Sequence, residues 1–413
     1  MIARANGSVV AARAQLVEAE LPLARVGDGV RICARDVRVN ARIAALHGTR
    51  AVLAPFGPLG GIAAGDRIEP DPSVLALPLG TPLLGRAVDA AGAPLDGGSP
   101  PRGRSVSTDA PPLAVGERRP CTTVCWTGVR AIDGPLAIGK GARIGLFGAP
   151  GAGKSTLLDL IVRGARADAV VVGLIGERGR EAERRLNGLG ARTTLVCATG
   201  GRPPAERVRA AEVAFAQAAA LRARGLDVLL VVDSLARVAV AARELALAAG
   251  EPPGRGGYPP SVFGTLTGLL ERAGAAGGGS VTLIATVLSD GADERDPVSE
   301  AARAALDGHL VLADRLARSG RFPAIDLPAS TSRTLAEVAA PAHLAAARRL
   351  RAAAAALDES RDARGLGLPV ADPFLLRCVA LEPAIEAFLR QDSTPSEPAA
   401  TLAELIRLAD ILT

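Results

Sequence analysis

Five continuous apolar runs of strand length constrain the fold of this chain more than any other feature. Polar residues do not alternate with apolar ones inside the runs, so strands built from them would be buried on both faces, as in a parallel sheet. Segments with helical periodicity separate the runs and supply the crossovers that parallel strands need. The pattern predicts an α/β domain with a parallel sheet. The runs are residues 142–147, 169–176, 193–199, 227–233 and 280–288.

Different patterns flank this central region. From Ser8 to about Pro70 the apolar stretches are short or alternating and are interrupted by Gly, Asp and Pro, which predicts a small N-terminal β-barrel. A connector rich in Pro and Gly runs from Leu83 to about Pro120. After about Pro341 only helical patterns remain, which predicts a C-terminal helical domain. We therefore expect three domains, over residues 1–75, 76–338 and 339–413.

The composition excludes several classes of protein. Hydrophobic residues make up 48% of the 413 and charged residues 22%, so the whole chain is not intrinsically disordered. The net charge of +5 is small for this length and does not by itself indicate a nucleic-acid partner. Five cysteines are spread along the chain, which is typical of a reducing cytoplasm rather than of a disulfide framework. We expect neither a signal peptide nor a transmembrane helix.

The segment GAPGAGKST carries the strongest chemical signal, because it has the spacing of a phosphate-binding loop between a strand and a helix. Its glycines let backbone N–H groups curl around phosphates at a helix N-terminus. Lys154 is one of only two lysines among 48 basic residues, and a compact ammonium fits between crowded phosphate oxygens. We expect Lys154 to reach the β and γ phosphates and Ser155 to bind Mg²⁺. The predicted loop residues are Gly148, Ala149, Pro150, Gly151, Ala152, Gly153, Lys154, Ser155 and Thr156.

Carboxylates follow two of the apolar runs. Asp233 ends the fourth run, at the sheet edge where ligands gather, and we expect it to hold Mg²⁺ through water; the alternative is an N-cap for the next helix. Glu177 follows the second run and is our candidate for the base that orients and deprotonates the attacking water. Its neighbour Arg178 would hold that carboxylate in place, and Arg237 would turn toward the γ phosphate. The alternatives are that Glu177 and Arg178 are charges on a solvated loop and that Arg237 is a solvated helix residue.

Two further residues are ambiguous from the sequence. Arg333 lies beyond the last core strands, where spacing alone makes it a candidate arginine finger for the γ phosphate of a neighbouring subunit. Phe322 is one of nine aromatic residues and could stack on adenine or belong to the core. Residue patterns alone favour the core.

Seven segments together resemble the ATPases of type III protein secretion systems, the family shared by virulence injectisomes and flagellar export. That family is itself similar to the catalytic subunits of rotary ATP synthases. The combination of GERGRE with GYPPSVF favours the secretion ATPases over the synthase subunits and over a transcription-terminating RNA helicase. The segments are residues 83–97, 127–156, 171–183, 233–253, 257–263, 306–312 and 321–333.

The resemblance implies an N-terminal β-barrel, a RecA-like P-loop domain and a C-terminal helical domain, in a homohexamer with ATP and Mg²⁺ between protomers. It implies that Arg333 is a finger acting in trans and that Phe322 contacts adenine. The loop from Gly250 to Ser261 would face a central channel and a stalk protein. Beyond Phe388 the tail lacks the second aromatic residue often found near adenine in this family.

The function implied is hydrolysis of ATP coupled to protein export, with release of chaperones and unfolding of cargo. The expected partners are a stator protein, a central stalk protein, chaperone–cargo complexes and the inner-membrane export gate, at whose cytoplasmic face the protein would sit; we expect no nucleic acid. The short N-terminus favours an injectisome over a flagellum. The alternatives are a flagellar export ATPase, a rotary synthase-type subunit, an RNA translocase and a non-catalytic scaffold.

Overall fold

A computed structural model describes residues 6–13, 15–288 and 296–412. These residues form two compact units, each built from separate stretches of the chain. The first unit contains the described residues up to Leu113 together with Ala169–Arg224 and Leu230–Arg272. The second contains Ala114–Asp168, Gly225–Leu229 and the described residues from Ala273 onward.

A closed antiparallel barrel occupies the start of the first unit and confirms the predicted N-terminal barrel. Side chains on alternate strand positions fill its interior, among them Val17, Ile32, Ile43, Leu53 and Ile68, each at most 1% exposed. The strands are β1 (Gly7–Arg13), β2 (Leu16–Glu20), β3 (Gly29–Cys33), β4 (Arg38–His47), β5 (Arg50–Pro55) and β6 (Arg67–Pro70). They follow one another around the barrel in the order β1, β2, β5, β4, β3, β6.

Short strands and two helices follow as far as residue 168. They are β7 (Ala76–Leu77), β8 (Ala87–Val88), β9 (Val106–Ser107), β10 (Arg118–Arg119), β11 (Val124–Cys125), α1 (Arg130–Asp133), β12 (Ile138–Gly139), β13 (Arg143–Gly148) and α2 (Lys154–Gly164). The next stretch, to residue 272, alternates strands and helices. Its elements are β14 (Ala169–Ile175), α3 (Gly179–Asn187), β15 (Thr193–Ala198), α4 (Pro204–Arg222), β16 (Asp227–Asp233), α5 (Leu235–Ala248) and α6 (Pro260–Leu270).

The remaining described residues begin with strands and end with helices. They form β17 (Gly274–Ala276), β18 (Gly279–Leu288), α7 (Pro297–Ala305), β19 (Gly308–Leu312), α8 (Asp314–Arg318), β20 (Ile325–Ser332), α9 (Leu335–Val338), α10 (Pro341–Glu359), α11 (Arg361–Gly365), α12 (Pro373–Leu389) and α13 (Pro398–Ile411).

Each unit contains parallel strands built from the apolar runs. In the first unit β14 and β15 run parallel with Val170 opposite Thr193, and α4 packs on both strands. β8 extends this pairing in parallel, with Ala87 opposite Leu195, so the Pro- and Gly-rich connector contributes a strand. In the second unit β13 pairs in parallel with β18 and with β19, and β20 runs antiparallel to β19. All seven residues of β14 are buried, as the absence of alternation predicts.

The C-terminal helices pack through small side chains. α10 lies against α12 and α13, and its alanines Ala346, Ala347 and Ala353 are buried together with Leu350, which gives the helical spacing of one apolar face. The predicted boundaries of three domains, after residues 75 and 338, stay a prediction. No helix within the described ranges is both long enough and apolar enough to cross a lipid bilayer.

Candidate active site

The predicted phosphate loop joins β13 to α2 in the second unit. Its glycines Gly151 and Gly153 have φ values of +87° and +92°, a left-handed conformation that glycine adopts without a side-chain penalty. A Cβ on Gly151 would meet no atom within 4 Å, so backbone conformation rather than space calls for glycine there. Gly153 is the N-cap of α2, so the first backbone N–H groups of that helix follow the loop directly.

Lys154 is held against this loop. Its ammonium donates to the carbonyl oxygens of Gly148 and Ala149, at 2.5 and 2.7 Å. Ser155 follows in the first turn of α2 and is half-buried, and its hydroxyl is the kind of hard oxygen donor that Mg²⁺ prefers. A left-handed glycine loop, a helix start, an ammonium and a hydroxyl form a donor set that suits a polyphosphate with its magnesium ion.

An open cavity of about 460 Å³ lies beside Phe322 in the second unit, and we call it the Phe322 cavity. The ring of Phe322 lies 3.9 Å from where a Cβ of Gly153 would be, so the cavity borders the phosphate loop. Sequence reasoning found Phe322 but missed the rest of the lining, for which the only signal was the polar tail after α12. The lining residues are Arg130, Gly320, Phe322, Arg390, Gln391, Asp392, Thr394, Pro395 and Ser396.

Glu177 lies in the first unit, after β14. The preceding residue Gly176 has φ +71°, and a Cβ there would lie 2.8 Å from the Cβ of Arg237, so glycine allows these two segments to approach. Oε1 of Glu177 is 3.8 Å from Nε of Arg237. Arg237, and not the expected Arg178, is therefore the arginine beside this carboxylate. Arg178 is exposed, and in the described part of the chain it forms no ion pair with Glu177.

The surroundings of Glu177 change its acidity. Burial raises the pKa of Glu177, and the negative charge of Asp233 raises it further. The positive charge of Arg237 and a hydrogen bond with Ser234 act in the opposite direction and lower the pKa in part. A carboxylate with a raised pKa takes up a proton more readily, so this environment suits a general base.

Asp233 closes β16 in the first unit and is 6% exposed. The N-cap of the following helix, α5, is Ser234, whose side chain accepts a hydrogen bond from the backbone N–H of Arg237 at 3.3 Å. The alternative interpretation of Asp233 as the helix cap is therefore wrong. Its role as a magnesium ligand stays a prediction.

Arg333 follows β20 in the second unit and is exposed. Its backbone N–H donates to the carbonyl oxygen of Asp307 at 3.0 Å, whereas its guanidinium forms no ion pair with any residue that the structure describes. It lines a shallow cavity of about 240 Å³ together with two more arginines, Arg348 and Arg351. An unpaired, exposed guanidinium is what an arginine finger requires.

Comparison with known proteins places these features in a family. Residues 128–332 match the family described as "ATP synthase alpha/beta family, nucleotide-binding domain". A flagellum-specific ATP synthase of Pseudomonas aeruginosa is 44% identical over 388 residues, which cover 91% of this chain and 85% of that protein. The chain belongs to the type III secretion and flagellar ATPase family. A type 3 secretion system ATPase of Pseudomonas syringae is 41% identical, over 99% of this chain and 95% of the relative.

Solved structures of this family share the whole fold. The assembled ATPase EscN of the enteropathogenic E. coli type III secretion system matches with a TM-score of 0.91 and 36% identity, over 98% of this chain and all of that one. A second structure, of assembled EscN with its central stalk EscO, matches with a TM-score of 0.89 over the same shares of both chains. The resemblance predicted from the sequence and the predicted fold class are confirmed. The protein is an ATPase of the type III secretion and flagellar ATPase family.

Proposed function

We propose that this protein is a Mg-ATPase that assembles as a homohexamer and powers protein export by a type III secretion system of the injectisome class. The observation that carries the proposal is the phosphate loop, with Lys154 held at the start of α2. The full-length alignment with the Pseudomonas syringae secretion ATPase and the match to EscN support the injectisome assignment.

In this proposal the predicted site residues act on one ATP. The loop residues Gly148 to Thr156 bind the phosphates, and Phe322 contacts the adenine. The Ser155 hydroxyl and the Asp233 carboxylate would hold Mg²⁺, directly and through water. When bound, Mg²⁺ neutralises the charge that builds up on the β and γ phosphate oxygens.

Glu177 accepts a proton from the attacking water while the water oxygen forms a bond to the γ phosphorus. The bond between the γ phosphorus and the bridging β oxygen breaks, and ADP leaves with its electron pair. In this proposal Arg237 holds Glu177 in place and reaches the γ phosphate. Arg333 of a neighbouring protomer stabilises the charge of the transition state.

Assembly and partners follow from the same proposal. The assembled EscN ATPase and its complex with a central stalk support a ring whose channel loop at 250–261 meets a stalk protein. The protein would dock chaperone–cargo complexes, release and unfold the cargo, and bind a stator protein. It would work in the cytoplasm, at the export gate of the inner membrane.

Replacement of the proposed base tests the chemistry. Glu177→Gln keeps the size of the side chain and one acceptor oxygen but cannot accept the proton, so turnover should fall about 100-fold or more. Binding of ATP should stay within about twofold, because the base contributes to hydrolysis and not to phosphate binding. Glu183→Gln, an exposed glutamate of α3, is the matched control and should hydrolyse ATP normally. Normal turnover in Glu177→Gln would mean that another group is the base.

A flagellar export ATPase is the second candidate, because the 44% identical relative is flagellar. Deletion of the gene separates the two: loss of effector secretion with normal swimming supports the injectisome, and loss of swimming alone supports the flagellum.

A further inference from the structure

Gln391 is the most buried polar side chain of the Phe322 cavity. It follows α12 and is 8% exposed. Its Oε1 accepts from the backbone N–H of Arg130 at 2.9 Å, and its Nε2 donates to the carbonyl oxygens of Gly128 and Thr394 at 2.7 and 2.8 Å. Its own backbone N–H donates to the carbonyl oxygen of Phe322 at 2.8 Å. One residue therefore connects three separate segments, at residues 128–130, 322 and 394.

These bonds leave Gln391 little capacity for a ligand. A glutamine amide has two N–H donors and one carbonyl oxygen, and both donors here are used by backbone carbonyls. Although the amide is the most buried polar group of the lining, it can offer a ligand no donor.

Three other polar side chains of the lining also form hydrogen bonds within the protein. The guanidinium of Arg130 donates to the carbonyl oxygens of Ala387, Phe388 and Arg390. The Ser396 hydroxyl shares a hydrogen bond with Thr401 at 3.0 Å. Asp392 is exposed, and its carboxylate accepts the backbone N–H of Thr394 at 2.7 Å. The wall geometry is thus well fixed, and Gln391, the one buried polar side chain among the described lining residues, has no free donor with which to read the edge of a base.

We propose that Gln391 is a positioning residue of the nucleobase site, and that the site holds a purine by shape and by the Phe322 ring without distinguishing adenine from guanine. The inference rests on the proposed ATPase function. A site that reads a base by hydrogen bonds leaves buried groups unpaired when the wrong base enters, and rejects it strongly. Where the buried groups of a site are already hydrogen-bonded within the protein, the wrong base leaves none of them unpaired and is not rejected in this way.

The test compares ligands with and without a base on the full-length protein. Isothermal calorimetry gives Kd for ADP, GDP and inorganic tripolyphosphate, the last of which occupies only the phosphate loop. In the unmodified protein we expect the Kd values of ADP and GDP to agree within about tenfold. In Gln391→Leu the Kd of ADP and of GDP should rise about tenfold or more, since the wall loses three hydrogen bonds, while that of tripolyphosphate changes less than about twofold.

Gln217 provides a matched control. It is another buried glutamine with three side-chain hydrogen bonds, to the N–H and carbonyl of Gly80 and to the Thr194 hydroxyl, all within the first unit. Gln217→Leu should lower the unfolding temperature as Gln391→Leu does but leave every Kd unchanged. If Gln391→Leu does not fold, Gln391→Glu keeps the acceptor for Arg130 and loses the two donors, and should show the same selective loss.

Two results would overturn the inference: rejection of GDP by more than about 100-fold, which needs a base-reading group, or equal weakening of ADP and tripolyphosphate in Gln391→Leu. Failure of the unmodified protein to bind any of the three ligands would instead contradict the proposed ATPase function. The two failures are therefore distinguishable.

Discussion

Two arginine-containing regions differ in what surrounds the guanidinium groups. In the first unit Arg209 on α4 is 1% exposed and donates to the carbonyl oxygens of Ala90 and Val74 and to the Thr108 hydroxyl, at 2.7 to 3.1 Å. In the second unit the exposed guanidinium of Arg333 has no ion-pair partner among the described residues. A buried arginine has its donors satisfied inside the fold, whereas Arg333 retains its donors for an anion from outside.

The region around Arg209 is held by further charge pairing. Arg42 of the barrel and Glu212 of α4 form a two-pronged ion pair at 2.7 and 2.8 Å. Burial lowers the pKa of Arg209 to about 10, which still leaves it charged at neutral pH. The guanidinium also lies 4.8 Å from the centre of the Phe56 ring. Arginine in this region joins the barrel to α4, and we expect it to govern stability rather than turnover.

Removal of the Arg333 guanidinium should have the largest effect. Arg333→Ala should lower turnover about 1,000-fold, since a finger supplied in trans contributes at least that much, while the free energy of unfolding stays unchanged. ATPase activity per protomer, measured against protein concentration, should rise steeply for the unmodified protein and stay low for the variant. Arg318→Ala, at a side chain 81% exposed, is the control. A flat concentration profile that is the same in the unmodified protein and in Arg333→Ala would contradict the contrast between Arg333 and Arg209.

Arg209→Met should lower the stability of the protein rather than its turnover. The substitution leaves two carbonyls and a hydroxyl buried without their donor, so the free energy of unfolding should fall by about 3 kcal/mol. Turnover of the folded protein should stay within about twofold, because Arg209 contacts none of the proposed active-site residues. Urea unfolding followed by circular dichroism gives the first quantity, with Arg67→Met, at an exposed barrel position, as the control. A loss of turnover without a loss of stability would contradict the assignment.

Arg237 lies between the two cases, because it is 46% exposed and faces a carboxylate. Its charge lowers the pKa of Glu177, so Arg237→Ala should raise that pKa. A base with a higher pKa becomes protonated at higher pH, and the acid limb of the pH–kcat profile should therefore move to higher pH. Arg180→Ala, at an exposed residue of α3, should leave the limb in place. A limb that does not move in Arg237→Ala would show that Glu177 is not the group titrating.

Much of the fold was predictable because local patterns encode it. The run at 227–233 forms β16 with those same bounds. A strand that is buried on both faces appears as a continuous apolar run, so the local sequence alone is enough to predict it. The phosphate loop was predictable for a similar reason, because its glycines and lysine all lie within the short segment from Gly148 to Lys154. β8 was not predicted, because two residues are too few to carry a periodic pattern.

The wall of the Phe322 cavity was beyond the reach of local patterns. Gln391 and Arg130 are 261 residues apart, and nothing in either segment indicates the other. The arginine beside Glu177 was assigned to its chain neighbour Arg178, whereas the partner in the structure is Arg237, which α5 presents from 60 residues further along. Sequence identified the chemical groups at the strand ends but not which of them meet.

The scarcity of lysine has a practical consequence for labelling. Lys140 is paired with Asp227 at 2.5 Å, and Lys154 lies in the phosphate loop. Amine-directed dyes and cross-linkers thus have two side chains to attack, and modification of Lys154 removes the charge that the loop uses. We expect an acylating reagent to act on this protein as an active-site reagent, and protection by ATP would then measure occupancy of the loop. Tethering for single-molecule work should use thiol chemistry instead.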